Sequence, residues 1–359
     1  MKRFEALDGL RGLAALTVVW FHGSHYFKSN YIPEHAYLAV DFFFCLSGFV
    51  VSHAYDKRLG AKMSAVDFFV KRLIRLYPMI LVGVLLGGLA LTSQALALKK
   101  MTLEEVAVLT ISAFLLIPAG FAYNLQAFPA NNPIWSLFFE FFANGFYVLE
   151  KKTLKSGKFL FSVGLLLSFV GLVIVASLQG GVESVGFGDP VSFWGGFARV
   201  TFPFFAGVFL HRFGLYKAFP QVNPILSFAA LMIVLLCPLA IDRRVYDLLA
   251  IAVALPLIVG LAANSLDQKH AIAASIFLGE LSYPIYLIHQ PIFRIVAGGL
   301  SKFSGNLLPK DLCILLVTLL CVALSLATLV FIDRPVRRWL GGMSAKSKNG
   351  NPLSSVAID

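Results

Sequence analysis

The chain has 359 residues, of which 58% are hydrophobic and 14% charged, where a typical soluble domain has about 25% charged residues. Apolar runs of membrane-spanning length recur from end to end, which excludes an ordinary soluble domain and predicts an all-α, polytopic integral membrane protein in the lipid bilayer. The net charge of +11 comes from short basic clusters between apolar runs, which fits the positive-inside rule and argues against a nucleic-acid partner.

Hydropathy and Lys/Arg bias together order the spans. Met1–Arg3 places the N-terminus in the cytoplasm and is too weak to open a signal peptide, because Asp8 and Arg11 interrupt the apolar core and no A-x-A site follows. The first span, near Asp8–Phe27, runs outward to the loop Lys28–Ala36, and the second, near Tyr37–Ala54, returns to the basic segment Lys57–Arg75. The third span, near Leu76–Leu96, runs outward. Leu103–Pro118 is apolar but short, and reading it as a re-entrant or interfacial helix keeps Lys151, Lys152, Lys155 and Lys158, which follow the span Ile134–Leu149, on the inside. Phe159–Leu178 then leads out to the loop Gln179–Pro190, and Phe193–Phe213 returns to Arg212 and Lys217. Asn223–Ala240, Leu248–Asn264, Ile272–Ala297 and Leu312–Phe331 complete about ten spans, with both termini cytoplasmic. Residues 1–340 form one membrane domain, and the polar tail 341–359 is predicted to be disordered. Cys45, Cys237, Cys313 and Cys321 lie in apolar runs without metal-ligand spacing, so no metal site is expected.

Polar residues at membrane depth are the chemical signal. Arg11 and His22 are eleven positions apart, close to three helical turns, so they share one face about 16 Å apart along the axis. In VDFFFCLSGFV, Ser47 and Gly48 read as packing positions, while Asp41 is either a helix cap or a buried partner within reach of His22. In KRLIRLYP, Arg72 and Arg75 share a face at the cytoplasmic border; with Arg11 they make an anion site suited to phosphates, or they only set topology. Ser136 and Glu140 lie one turn apart in the external half of their predicted span, and Glu140 sits among phenylalanines, where it must be protonated or paired. Ser282, Tyr286 and His289 share a face of a helix that Pro284 and Pro291 are expected to kink or break. His25, His35 and His53 read as interfacial. Cations thus collect at the cytoplasmic level, and histidines and carboxylates toward the outside.

The segments FEALDGLRGLAALTVVWFH, VDFFFCLSGFV, RLIRLYP, WSLFFEFFANGFY and LSYPIYLIHQP, in this order over nearly the whole chain, resemble the acyltransferase 3 family of integral-membrane acyltransferases. The resemblance implies a stand-alone membrane O-acyltransferase of the bacterial inner membrane. It implies a cytoplasmic acyl-CoA donor, usually acetyl-CoA, and a hydroxyl acceptor on an exported or envelope glycan or another small molecule. Carried over by position, His22 is the catalytic histidine, Arg11 its partner arginine, Arg72 and Arg75 the holders of the CoA phosphates, and Glu140 the acidic residue after the WSL run. The chemistry agrees, since an imidazole acts as a general base at the hydroxyl or attacks the thioester itself, and the sequence leaves both routes open. Asp41 or Glu140 would orient the imidazole, and Arg11 would contact the donor or the developing oxyanion. Ser136, Ser282, Tyr286 and His289 stand as substrate-contacting or supporting residues. No resident cofactor is required. A proton-coupled transporter is the rival reading, but the two related halves expected of many transporters are not visible.

Overall fold

The computed structural model describes residues 3–59, 61–153, 158–238, 240–266, 272–300 and 308–348. The helices are α1 (Glu5–Phe27), α2 (Ala39–Tyr55), α3 (Ala65–Leu98), α4 (Leu103–Phe114), α5 (Ile134–Thr153), α6 (Lys158–Gln179) and α7 (Pro190–Arg212). They continue with α8 (Pro224–Leu236), α9 (Arg243–Leu249), α10 (Leu255–Ala263), α11 (Ile272–Leu300), α12 (Lys310–Thr328) and α13 (Arg334–Lys348). A π turn joins α9 to α10, and another joins α12 to α13.

Six helical stretches among the described residues are long and apolar enough to cross a membrane: Ala36–Tyr55, Ala65–Leu98, Phe159–Gln179, Pro190–Arg212, Arg243–Ala263 and Lys310–Met343. The expected ten are therefore not all of that kind. α8 stops at Leu236, just before Cys237 and Pro238, because proline disfavours the helical conformation in the residue before it. α1, α5 and α11 have 23, 20 and 29 residues but carry the polar side chains of the site and fall outside the six. The third span starts eleven residues earlier than predicted. A capping box at Ser64, whose Oγ accepts from Asp67 N at 3.1 Å, nucleates the helix ahead of the basic motif. α11 runs continuously through Pro284 and Pro291, so of the expected kink or break the break does not occur. The described part of the predicted disordered tail is helical to Lys348; residues 349–359 lie outside the described residues, as do Lys155, Lys269 and His270.

Glycines set the helix pairs. A Cβ added at Gly48 would lie 1.8 Å from Phe204 O, and one at Gly207 1.9 Å from Cys45 O, so α2 and α7 touch backbone to backbone. A Cβ at Gly12 would lie 2.5 Å from Leu278 Cβ, and Gly9 and Gly23 face Ser275 and Phe293, which packs α1 parallel to α11. Such small-residue contacts replace the hydrophobic drive that lipid cannot supply. Contacts Leu76–Tyr283 and Gly83–Leu287 run α3 parallel to α11, and Phe44–Trp135 and Ser47–Glu140 run α5 parallel to α2. Phe4 meets Phe49 and His53, so α1 and α2 are antiparallel. Asp41–Arg199 and Ser52–His211 run α7 parallel to α2, so α1, α3 and α11 share one direction and α2, α5 and α7 the other, as in the predicted alternation.

α4 has twelve residues, about 18 Å, too short for a hydrocarbon core of about 30 Å. It descends along α3, with Thr110 against Gly88 and Phe114 against Tyr77, and by Ala130 the chain is back against Gly87. The segment dips and returns on the same side of α3, which gives α5 its direction.

Gly48→Ala is expected to destabilise the fold by about 3 kcal/mol, the upper end of overpacking penalties. Gly164→Ala, where nothing lies within 4 Å, is expected to be neutral. Melting of the purified protein in detergent checks both, and equal melting of the two variants would contradict the backbone contact.

Candidate active site

The α1 stripe holds Arg11 at one end and His22 at the other, and α11 meets both. Arg11 Nε donates to Ser282 Oγ at 2.9 Å and Nη2 to Gly279 O at 2.6 Å, with Asp8 at 3.2 Å. Gly279 leaves the room, since a Cβ there would lie 2.6 Å from Asp8 Cβ. Eleven residues further along α1, the His22 ring stands 5.2 Å, centroid to centroid, from that of His289. Among the described residues neither ring nitrogen of His22 has a hydrogen-bond partner. The predicted face of α11 is thus divided: Ser282 serves Arg11, His289 stands by His22, and Tyr286 lies between. The Ser136 hydroxyl donates to Pro133 O at 2.9 Å and accepts from the Tyr286 hydroxyl at 2.9 Å. Asn132 N donates to Gln290 Oε1 and Asn131 Nδ2 to Leu287 O, which locks the start of α5 onto α11.

His22 opens onto a cavity of about 360 Å³ whose walls include His25, Tyr37, Trp135, Tyr286 and Gln290. His25 is therefore part of the cavity, in addition to its expected place at a span end. His53 pairs with His211, Nδ1 to Nε2 at 3.1 Å, and His35 is buried and stacked on Tyr246 at 3.8 Å.

The carboxylates stand elsewhere than expected. Asp41 neither caps α2 nor reaches His22. It forms a two-pronged pair with Arg199, at 3.0 Å and 2.7 Å, both side chains being fully buried. Arg199 donates from Nη1 to Val182 O and Val185 O, which pins the 180s loop against α7, and from Nη2 also to Tyr37 O. Glu140 accepts from Ser47 Oγ at 2.6 Å and forms an ion pair with Arg72. It lies with the basic motif, not with the histidines, and Ser47 is its ligand rather than only a packing residue. The reason is electrostatic, because an arginine at membrane depth is a stronger partner for a carboxylate than a neutral imidazole. Arg72 is accordingly buried and neutralised, while Arg75 is exposed, with no hydrogen bond or ion pair among the described residues. Arg72, Arg11 and Arg337 are electrostatic neighbours of Arg75, so the three predicted arginines do converge.

Arg199 and Asp247 were missed in the sequence. Asp247 accepts from Tyr37 Oη at 2.6 Å and Val182 N at 2.8 Å, beneath the same loop. An arginine inside the apolar run GGFARVTFPFF was the available signal.

Apolar helices around a cavity lined by His22 and His25, with arginines at the far end of the same stripe, are the architecture of an integral membrane protein. A family model described as "Acyltransferase domain" matches residues 4–331, and the chain belongs to this acyltransferase 3 family. It is 38% identical over 157 residues to "Protein 2 in picA locus" of Rhizobium radiobacter, a match covering 41% of this chain and 81% of that protein. No solved structure matches.

Breaking a buried ion pair costs about 3–5 kcal/mol, whereas replacing both partners by apolar groups is often tolerated. Asp41→Leu is expected to lower the melting temperature strongly, and Asp41→Leu with Arg199→Met to recover part of the loss. A stable but inactive Asp41→Leu protein would instead place Asp41 in the chemistry.

Proposed function

We propose that the protein is an acyl-CoA-dependent membrane O-acyltransferase that moves an acyl group, acetyl in the first instance, to a hydroxyl of an exported or cell-envelope glycan. In this reading the chain crosses a bacterial cytoplasmic membrane about ten times, with both termini and the Arg11–Arg75 end inside and the His22 cavity facing out.

One observation carries the reading: Arg75, without a hydrogen bond or ion pair among the described residues, is an electrostatic neighbour of Arg11 at one end of the stripe, and His22 lines the cavity at the other, about 16 Å along α1. A compact donor such as an acyl phosphate keeps its anion next to the reacting carbonyl. A CoA thioester separates its phosphates from the carbonyl by the long pantetheine arm, which suits this spacing. Arg75 and Arg11 take the phosphates. Arg72 and Glu140, held to each other, support that floor, and Asp41 with Arg199 supports the cavity wall. At the other end His22 removes the proton of the acceptor hydroxyl as its oxygen attacks the thioester carbonyl. The tetrahedral intermediate expels the CoA thiolate, which takes the proton back from the imidazolium. Trp135 and Tyr37 offer rings, and Gln290 an amide, of the kind that suit sugar faces and hydroxyls.

Thiol release from acetyl-CoA by the purified protein, with and without a crude envelope-glycan extract, tests this. Release is expected to be stimulated by glycan and abolished in His22→Ala. Arg75→Ala is expected to raise the donor KM about tenfold or more, the value of one charge-assisted hydrogen bond. Full transfer by folded His22→Ala, or silence with acetyl-CoA and succinyl-CoA alike, would contradict the proposal.

A further inference from the structure

Among the described residues, His289 is one of the buried side chains left with an unpaired polar atom, and it stands next to the candidate catalytic histidine. The His289 side chain is fully buried. Its Nδ1 bonds to Ile285 O of its own helix at 3.1 Å, and a carbonyl only accepts, so the proton sits on Nδ1. Nε2 is then a bare acceptor, buried and without a partner among the described residues. A buried acceptor left unpaired is costly and calls for a reason. The ring beside it belongs to His22, also unpartnered, at 5.2 Å and an interplanar angle of 33°. Because Nδ1 is turned to the backbone of α11, Nε2 on the far side of the ring points away from that backbone. The carboxylates that ordinarily orient a catalytic imidazole are committed to Arg199 and Arg72.

We propose that His289 is the positioning residue for His22: its Nε2 accepts a hydrogen bond from one ring N–H of His22 and thereby turns the other ring nitrogen, unprotonated, into the cavity. The inference rests on the acyl-transfer reading for its kinetic consequence, though not for its geometry. In the structure the two rings are adjacent without a hydrogen bond, and rotation of the His22 ring closes it, as catalytic hydrogen bonds do when substrate binds. A neutral orienting acceptor fits this place, where a carboxylate would carry an uncompensated charge at membrane depth. The other titratable or charged groups lining the cavity with His22 are His25 and Tyr26 on α1, Tyr286 on α11, Tyr37 ahead of α2, Arg199 on α7 and Glu183 in the 180s loop, the last held by Arg243 at 2.9 Å. Facing His22 from α8 and α10 there is none. Asp311 at the start of α12 is taken by Ser29.

The test compares His289→Leu, His289→Asn and His289→Gln in the full chain. Glutamine reaches as far as Nε2 and offers a carbonyl oxygen, asparagine is too short, and leucine has no acceptor. Two readouts are taken at several pH values: steady-state acetyl-CoA thiol release with the glycan extract, and the rate of diethyl pyrocarbonate modification of His22 resolved by peptide mass spectrometry. The expected result is a fall in kcat of about tenfold in His289→Leu and His289→Asn with the donor KM little changed, the value of one lost hydrogen bond to a charge-bearing group. His22 modification slows with its pH midpoint displaced, and His289→Gln restores both. Equal impairment of all three variants, or unchanged His22 reactivity in His289→Leu, would overturn the proposal. If the wild type shows no acyl transfer, the functional reading fails, and His22 reactivity across the variants still decides the positioning. If His289→Leu does not fold, the Gln and Asn pair carries the comparison.

Discussion

A charge buried in an apolar bundle must find an opposite charge, and this constraint arranges the molecule. Arg199 takes Asp41 and Arg72 takes Glu140. These pairs are weak evidence for stability, because desolvation offsets much of their attraction, but breaking either leaves a bare ion in a medium that cannot solvate it. Their effect is positional. They tie α2 to α7 and α3 to α5, and they hold both carboxylates on arginines rather than beside His22. Along the α1 stripe, the groups left unpaired among the described residues are then informative: Arg75 at one end, and His22 with the Nε2 of His289 at the other.

Glycine makes that separation exact. With Gly9, Gly12 and Gly23 against α11, two parallel helices lie close enough for Arg11 to reach Ser282 and for His22 to reach His289 along one seam. The dip of α4 and the return of the chain to Ala130 let α5 start at the level of the cavity, where Ser136 holds Tyr286. Six apolar stretches have the length and composition of spans, while α1, α5 and α11, the more polar helices, carry the site. Their polar side chains are turned to neighbouring helices because protein, and not lipid, can satisfy them.

The stripe itself was legible in the sequence, since Arg11 and His22 differ by nearly three whole turns and period alone puts them on one face. The dip of α4 was legible from the lysines after Leu149 that any extra span would have placed outside. Pairing was not legible. Asp41 and Arg199 are 158 residues apart, and periodicity says which face a residue occupies but not which helix will cover it. The same gap hid Glu140, assigned to the histidine level because depth was counted from a span boundary and not from the reach of Arg72. Arg199 stands in the sequence as an arginine inside an apolar run whose neighbours match no motif. The length of α3 depended on a cap at Ser64 outside the apolar pattern.

The central claim is that donor and acceptor approach the α1 stripe from opposite faces of the membrane. The direct measurement encloses the envelope-glycan extract in sealed proteoliposomes and supplies radiolabelled acetyl-CoA only outside. The account predicts label on the enclosed glycan in vesicles carrying the wild-type chain and none with His22→Ala. Label appearing only when donor and glycan share a compartment would contradict it.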